Sequence, residues 1–322
     1  MLDTELTRRW NLRIPIVQAP MAGVSDGALA GAVSAAGGLG MIGIAPATTA
    51  AWIAEQSAIL RPHGAFGIGL MLWHERAVEQ IDAALAERPF LVSLSFGDPA
   101  PYIERAHAAG VLVAVQAQTA AAALHAMEAG ADAVVAQGTE AGGHTGAVGT
   151  LPLLQAILEQ LDGHDTLVLA AGGIASGRAI AGVLAMGAHG AWIGTRFVAS
   201  HEAMGSDAAK QALVASTESD TVLTHVFDMV QDVAWPGEFP GRAIRNDFTE
   251  RWHGREDHLD AAMTEARSAF DVARTAGNLR EAHVYAGQAV GAIGDVRPAA
   301  ELLQRMADDA ETHLKRAARL TR

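Results

Sequence analysis

Between Ile14 and about Ser200, short β-rich apolar runs alternate with Ala-rich segments of helical length. That alternation predicts repeated βα units on a parallel sheet. Eight strands are expected, over residues 14–21, 39–43, 65–71, 90–96, 111–117, 131–138, 166–173 and 190–196. Ser25, Thr119 and Ser176 are placed to accept N–H groups at the first turns of helices. Gly37, Gly110, Gly130 and Gly187 each follow a helix and precede a strand, where the chain must turn back through positive φ. Eight continuous apolar strands favour a closed (β/α)8 TIM barrel over a doubly wound open sheet of the same periodicity.

Beyond Ser200 the pattern changes. Trp, His, Arg and acidic residues become more frequent, and the loop from Trp235 to Gly241 carries Pro236, Gly237, Pro240 and Gly241. No further strands are predicted there, whereas 255–275 and 298–320 read as helices. The expected division is a barrel over 1–214, a smaller helical subdomain over 215–290, and a C-terminal helix over 291–322 packing back on the barrel.

Composition narrows the chemistry. The 322 residues are half apolar, enough to bury roughly three quarters of the unfolded surface. A formal charge of −13 argues against a nucleic-acid partner, which draws on clustered Lys and Arg. Any bound phosphate must be held locally. Only Lys210 and Lys315 are lysines, and neither falls on a predicted strand, so Schiff-base chemistry has no obvious amine. With no cysteine, disulfides, thiolate metal sites and a cysteine nucleophile are excluded. Residues 1–10 carry Asp3 and Glu5 without a signal-peptide run, and no stretch approaches the ~20 apolar residues of a membrane span. The cytoplasm is the default expectation.

Three patterns read best as structure. Gly38–Gly43 fits G-x-G-x-x-G but enters a strand instead of leaving one for a helix. Gly23-Val-Ser25-Asp-Gly27 fits the nucleophile elbow, yet it follows the first strand, before any oxyanion loop could form, so Ser25 is read as a helix cap. His253 and His258, with Glu256 and Asp257, lack the H-E-x-x-H spacing and sit in a polar segment, read as a solvated surface. No metal site is assigned.

The informative residues lie at the strand ends, where barrels place their chemistry, with phosphate held by the loops after the last two strands. Those ends read Ala171-Gly172-Gly173-Ile174 and Trp192-Ile193-Gly194-Thr195-Arg196. Their glycines let main-chain N–H groups approach an anion, and Thr195 adds a hydroxyl. The sixth strand runs into Gln137-Gly-Thr-Glu-Ala-Gly-Gly-His144-Thr-Gly146, a loop too elaborate for a simple join. Among 13 histidines, His144 is the one whose glycine neighbours leave room for both a cofactor and a substrate.

These segments, together with Ile16-Val-Gln-Ala-Pro-Met-Ala-Gly23, Gly194-Thr-Arg-Phe197 and the tail Tyr285–Gly291 followed by Pro298–Leu302, resemble the nitronate monooxygenases, formerly called 2-nitropropane dioxygenases. The resemblance implies a TIM barrel holding FMN and the oxidation of alkyl nitronates by O2 to carbonyl compounds and nitrite. It implies that Pro20, Met21 and Ala22 border the isoalloxazine, and that Gln137 and Gly142 touch the flavin. It further implies that Gly172, Gly173, Trp192, Ile193, Gly194 and Thr195 form the phosphate side, with His144 as the catalytic histidine. The imidazole serves either as a base for neutral nitroalkanes or as an orienting group for an anion.

One departure stands out. Where the family commonly shows an asparagine on the third strand, this chain reads Gly67-Ile-Gly69, leaving Gln116 to supply a polar contact. The scaffold and its Gly-Gly-His loop also resemble flavin-dependent enoyl-[acyl carrier protein] reductases and NAD(P)H:quinone reductases. The use of NAD(P)H and the oligomeric state therefore stay open.

Overall fold

A computed structural model describes residues 2–321. The strands are β1 (Ile16–Gln18), β2 (Gly40–Gly43), β3 (Phe66–Met71), β4 (Leu91–Ser95), β5 (Leu112–Ala117), β6 (Ala133–Gln137), β7 (Gly143–His144), β8 (Leu167–Ala171), β9 (Gly190–Ile193), β10 (Thr221–Thr224) and β11 (Gly241–Ile244). All eight predicted strands are present, the last two as β8 and β9. They pair in parallel in the order β1-β9-β8-β6-β5-β4-β3-β2. Two bonds, from Leu39 N to Ile16 O and from Gln18 N to Leu39 O, then join β1 to the residue ahead of β2 and close the ring. The fold is a TIM barrel.

Alternation along each strand separates two apolar layers. Val17, Met41, Ala114, Val135, Leu169 and Trp192 fill the barrel interior, with Leu6 and Trp10 of the helix Glu5–Trp10 packed against them. The intervening positions, such as Ile16, Ile42, Val115 and Ile193, pack outward against the helices. Gly37, Gly110, Gly130 and Gly187 all have positive φ at the expected joins. Thr119 and Ser176 cap their helices as predicted. Ser25 does not: Asp26 caps the helix Gly27–Ala36, accepting from Ala28 N and Leu29 N. The Ser25 hydroxyl instead accepts from Met21 N and donates to Met21 O, closing the turn after β1.

The expectation that strands end near Ser200 needs correction. β10 and β11 form an antiparallel ribbon whose other edge pairs with β7, Gly241 opposite His144 and Arg242 opposite Gly143. A short, two-residue strand inside a glycine loop carries no readable alternation, which is why this sheet escapes the sequence pattern. Around it Phe227, Phe248, Leu259 and Phe270 form a separate core over the barrel mouth. The tail returns as the helix Ala299–Ala317, burying Leu302, Leu303, Met306 and Ala310. Gly177 lies so close to it that an added Cβ would meet Met306 O and Ala310 N at 2.5 Å. Among the described residues, no helix is long and apolar enough to cross a membrane.

Candidate active site

A cleft of about 430 Å³ opens at the C-terminal ends of the barrel strands, under the β7–β11–β10 sheet. Of the residues singled out in the sequence, Pro20, Met21, Ala22, Gln116, Gln137, Gly142, His144, Gly172, Gly173, Trp192, Gly194 and Thr195 all line it. Ile193 does not. It follows the inward Trp192 on β9 and so points outward into the barrel–helix layer, 1% exposed.

One wall is set by close approach. A Cβ on Gly69 would overlap the Pro20 ring, and one on Gly43 would overlap the Met21 backbone, so the segment Pro20–Ala22 rests directly on β2 and β3. The space beside Gly69 is thus filled by the Pro20 ring. Gln116 on β5 lines the cleft, and its side-chain amide has no hydrogen-bond partner among the described residues.

At the β8–β9 end, Gly172 and Gly173 have φ of 94° and 71°, a left-handed pair that β-carbons would strain. The N–H groups of Gly173, Ile174 and Gly194 have no partner among the described residues. Thr195 lies not on the strand but at the start of the helical turn Thr195–Val198, where its hydroxyl accepts from Gly287 N at 3.0 Å. Gln288 N donates to Glu140 O at 2.9 Å, so the tail segment bridges the loops after β6 and β9. Arg196, buried beside them, faces away and binds Asp295.

The opposite wall carries the titratable groups. Gln118 donates to Gln137, whose amide donates to the His144 carbonyl, tying the loop to the strand ends. The His144 Nε2 lies 2.9 Å from Asp228 Oδ1, both side chains under 10% exposed. Asp228 comes from the helix Val226–Gln231, and its Oδ2 is buried with no hydrogen-bond partner among the described residues. Trp235 stacks on the imidazole at 3.5 Å between ring centroids and 9° between planes, and Tyr285 approaches at 5.6 Å. Burial, with Arg274 assisting, pushes His283 down to about 4, against the pull of Asp228. Burial and Asp228 together hold the Tyr285 hydroxyl well above its usual range.

The sequence profile described as nitronate monooxygenase matches residues 67–309. The chain belongs to the nitronate monooxygenase family. A nitronate monooxygenase of Neurospora crassa is 30% identical, covering 94% of this chain and 90% of its own. FabK from Thermotoga maritima superposes with a TM-score of 0.87 at 28% identity, covering 99% of each chain. The nitroalkane oxidase of Streptomyces ansochromogenes gives 0.79 at 31% identity, over 97% of this chain and 99% of its own. Like this family, the chain is a flavin-dependent oxidoreductase.

A flavin suits what this nitronate monooxygenase-family cleft offers. The unused N–H groups at Gly173, Ile174 and Gly194 suit an anion. The buried indole N–H of Trp192, without a hydrogen-bond partner among the described residues, and the half-buried Gln116 offer polar contacts in the cleft. Sequence reasoning missed Asp228, His283, Tyr285 and the placement of Trp235. They come from three segments without a shared motif, and only the rise in aromatic and acidic residues after Ser200 pointed their way.

Proposed function

We propose that the chain binds FMN through Gly172, Gly173, Gly194 and Thr195 and oxidises alkyl nitronates with O2, giving carbonyl compounds and nitrite. The barrel would be residues 1–214, and 215–290 would form the subdomain that closes the substrate side. The flavin supplies the two-electron acceptor that nitronate oxidation requires. The observation that carries the reading is the His144 imidazole. It is fixed at Nε2 by Asp228, on the wall of the cleft whose other end is a glycine anion cradle.

Asp228 accepts from Nε2–H and so leaves Nδ1 as the nitrogen that exchanges a proton or pairs with an anion. Gln137 holds the His144 backbone, and Trp235 covers one face of the ring, keeping water from it. A nitronate, already a carbanion equivalent, needs only orientation and charge balance. A neutral nitroalkane needs His144 as its base.

A second reading, NAD(P)H-dependent reduction of quinones or enoyl thioesters, rests on the likeness of the scaffold and its Gly-Gly-His loop to flavin-dependent reductases. Anaerobic mixing with ethylnitronate, NADH and NADPH in turn separates the two. Bleaching of the flavin by ethylnitronate alone supports the first. Bleaching by a reduced nicotinamide, with none by the nitronate, replaces it with the second.

A further inference from the structure

We propose that Asp228 and His225 form the route by which a proton taken up by His144 reaches solvent. The proposal rests on reading His144 as the acid–base group above. His144 and Asp228 line the cleft, 8% and 7% exposed, and His225 lies beyond them outside the lining, 37% exposed. His144 Nε2 is 2.9 Å from Oδ1 of Asp228, and His225 Nδ1 is 3.9 Å from Oδ2. The first distance is a hydrogen bond. The second is too long for one, but rotation of the exposed imidazole at the start of the helix closes it on the fast timescale of surface side chains.

Two facts make a route necessary and this one available. With substrate in the cleft, His144, 8% exposed with Trp235 stacked on its ring and Tyr285 beside it, has little direct contact with bulk water. The Asp228 carboxylate offers its second oxygen, buried and unused by any described residue, on the side facing His225. The other titratable or charged groups against this trio are His283 and Tyr285 from the segment beside β11, and Arg274 from the helix Met263–Thr275. His283 stays neutral and Tyr285 stays protonated near pH 7, so neither exchanges the proton; Arg274 acts on the group only as a positive charge felt by His283.

The transfer balances in atoms and charge. A neutral carbon acid gives its α-proton to Nδ1 of His144, and the C–H electron pair stays on the substrate as the anion. The Nε2 proton passes to Oδ1 of Asp228, returning His144 to neutrality as its Nδ1–H tautomer. Rotation of the carboxyl presents the proton to His225 Nδ1, and His225 releases its Nε2 proton to water. Once product leaves, exchange with water entering the cleft returns both imidazoles to their starting tautomers.

The test compares turnover of nitroethane, which must lose a proton, with that of preformed ethylnitronate, on flavin-loaded protein in weak buffer. For His225→Gln the nitroethane-to-ethylnitronate ratio of kcat should fall about tenfold and recover as imidazole is added to the assay. For Asp228→Asn, whose amide can still accept from Nε2 but cannot carry a proton, the ratio should fall about a hundredfold, and imidazole should not restore it. A His225→Gln ratio within about twofold of the parent at every imidazole concentration overturns the route. Because His225 is exposed, that variant decides the matter even if Asp228→Asn fails to fold. Full turnover of both substrates by His144→Ala would instead break the underlying reading of His144, a result distinguishable from failure of the route alone.

Discussion

At the β8–β9 end of the cleft, the groups offered to a ligand are main-chain N–H groups of consecutive residues at strand ends. At the β7–β11 end they are side chains of His144, Asp228, Trp235 and Tyr285, brought together from segments up to 141 residues apart. The first kind of site is written into local sequence and needs no side-chain charge, so an acidic chain can still hold an anion. The second exists only once a separate aromatic core has docked over the barrel. Cofactor retention and catalysis should therefore fail independently.

The largest effect that would break this contrast concerns Gly173. An aspartate there takes on a strained φ of 71° and sets a carboxylate beside Glu140, in the cradle itself. Purified Gly173→Asp should carry no flavin while keeping parental far-UV circular dichroism. Stoichiometric flavin in that variant would show that the phosphate lies elsewhere. His144→Ala is the complementary case. Flavin should remain bound while turnover falls by about 10²–10⁴-fold, read by the visible spectrum and nitrite release on the same sample.

Acid should separate the two regions by stability. His283 titrates near 6.5 when unfolded and is pushed down to about 4 by burial in the aromatic core. Its depressed value means the unfolded chain binds the proton first, so this group's contribution is intact above pH 6.5 and is lost as pH falls from 6.5 to 4. Over that window the loss amounts to about 3 kcal/mol. His283→Phe should flatten the pH dependence of unfolding followed through tryptophan fluorescence by that amount. An unchanged profile would mean that His283 is charged or solvated in the folded protein.

How much was legible follows the same divide. The barrel strands and the four glycine joins were readable because each depends on a few neighbouring residues: period-two apolar runs and a glycine at a forced positive φ. The assignment of Ile193 failed because a motif carries no orientation, and strand alternation turns every second side chain away. Asp228 was unreadable for a different reason. A single acid on a six-residue helix has no pattern, and its meaning comes from the 2.9 Å bond to a histidine 84 positions earlier.

The smallest predicted effect sharpens the boundary between cap and turn at β1. Asp26 caps the helix Gly27–Ala36 through Ala28 N and Leu29 N, while Ser25, 1% exposed, bridges the N–H and C=O of Met21. Asp26→Ala should cost about 1 kcal/mol, the usual worth of a helix cap, and leave flavin affinity alone, since its bonds end inside the helix. Ser25→Ala removes the partner of the Met21 N–H among the described residues and should cost a similar ~1–3 kcal/mol. Its consequence differs, because Met21 lies in the segment that rests on Gly43 and Gly69 and forms the cleft wall. Loosening that turn should weaken flavin binding a few-fold, by about 1 kcal/mol or less, with turnover of the loaded enzyme close to parental. Fluorescence titration of flavin into the stripped variants checks this directly. Equal flavin affinity in both would return Ser25 to a purely structural role.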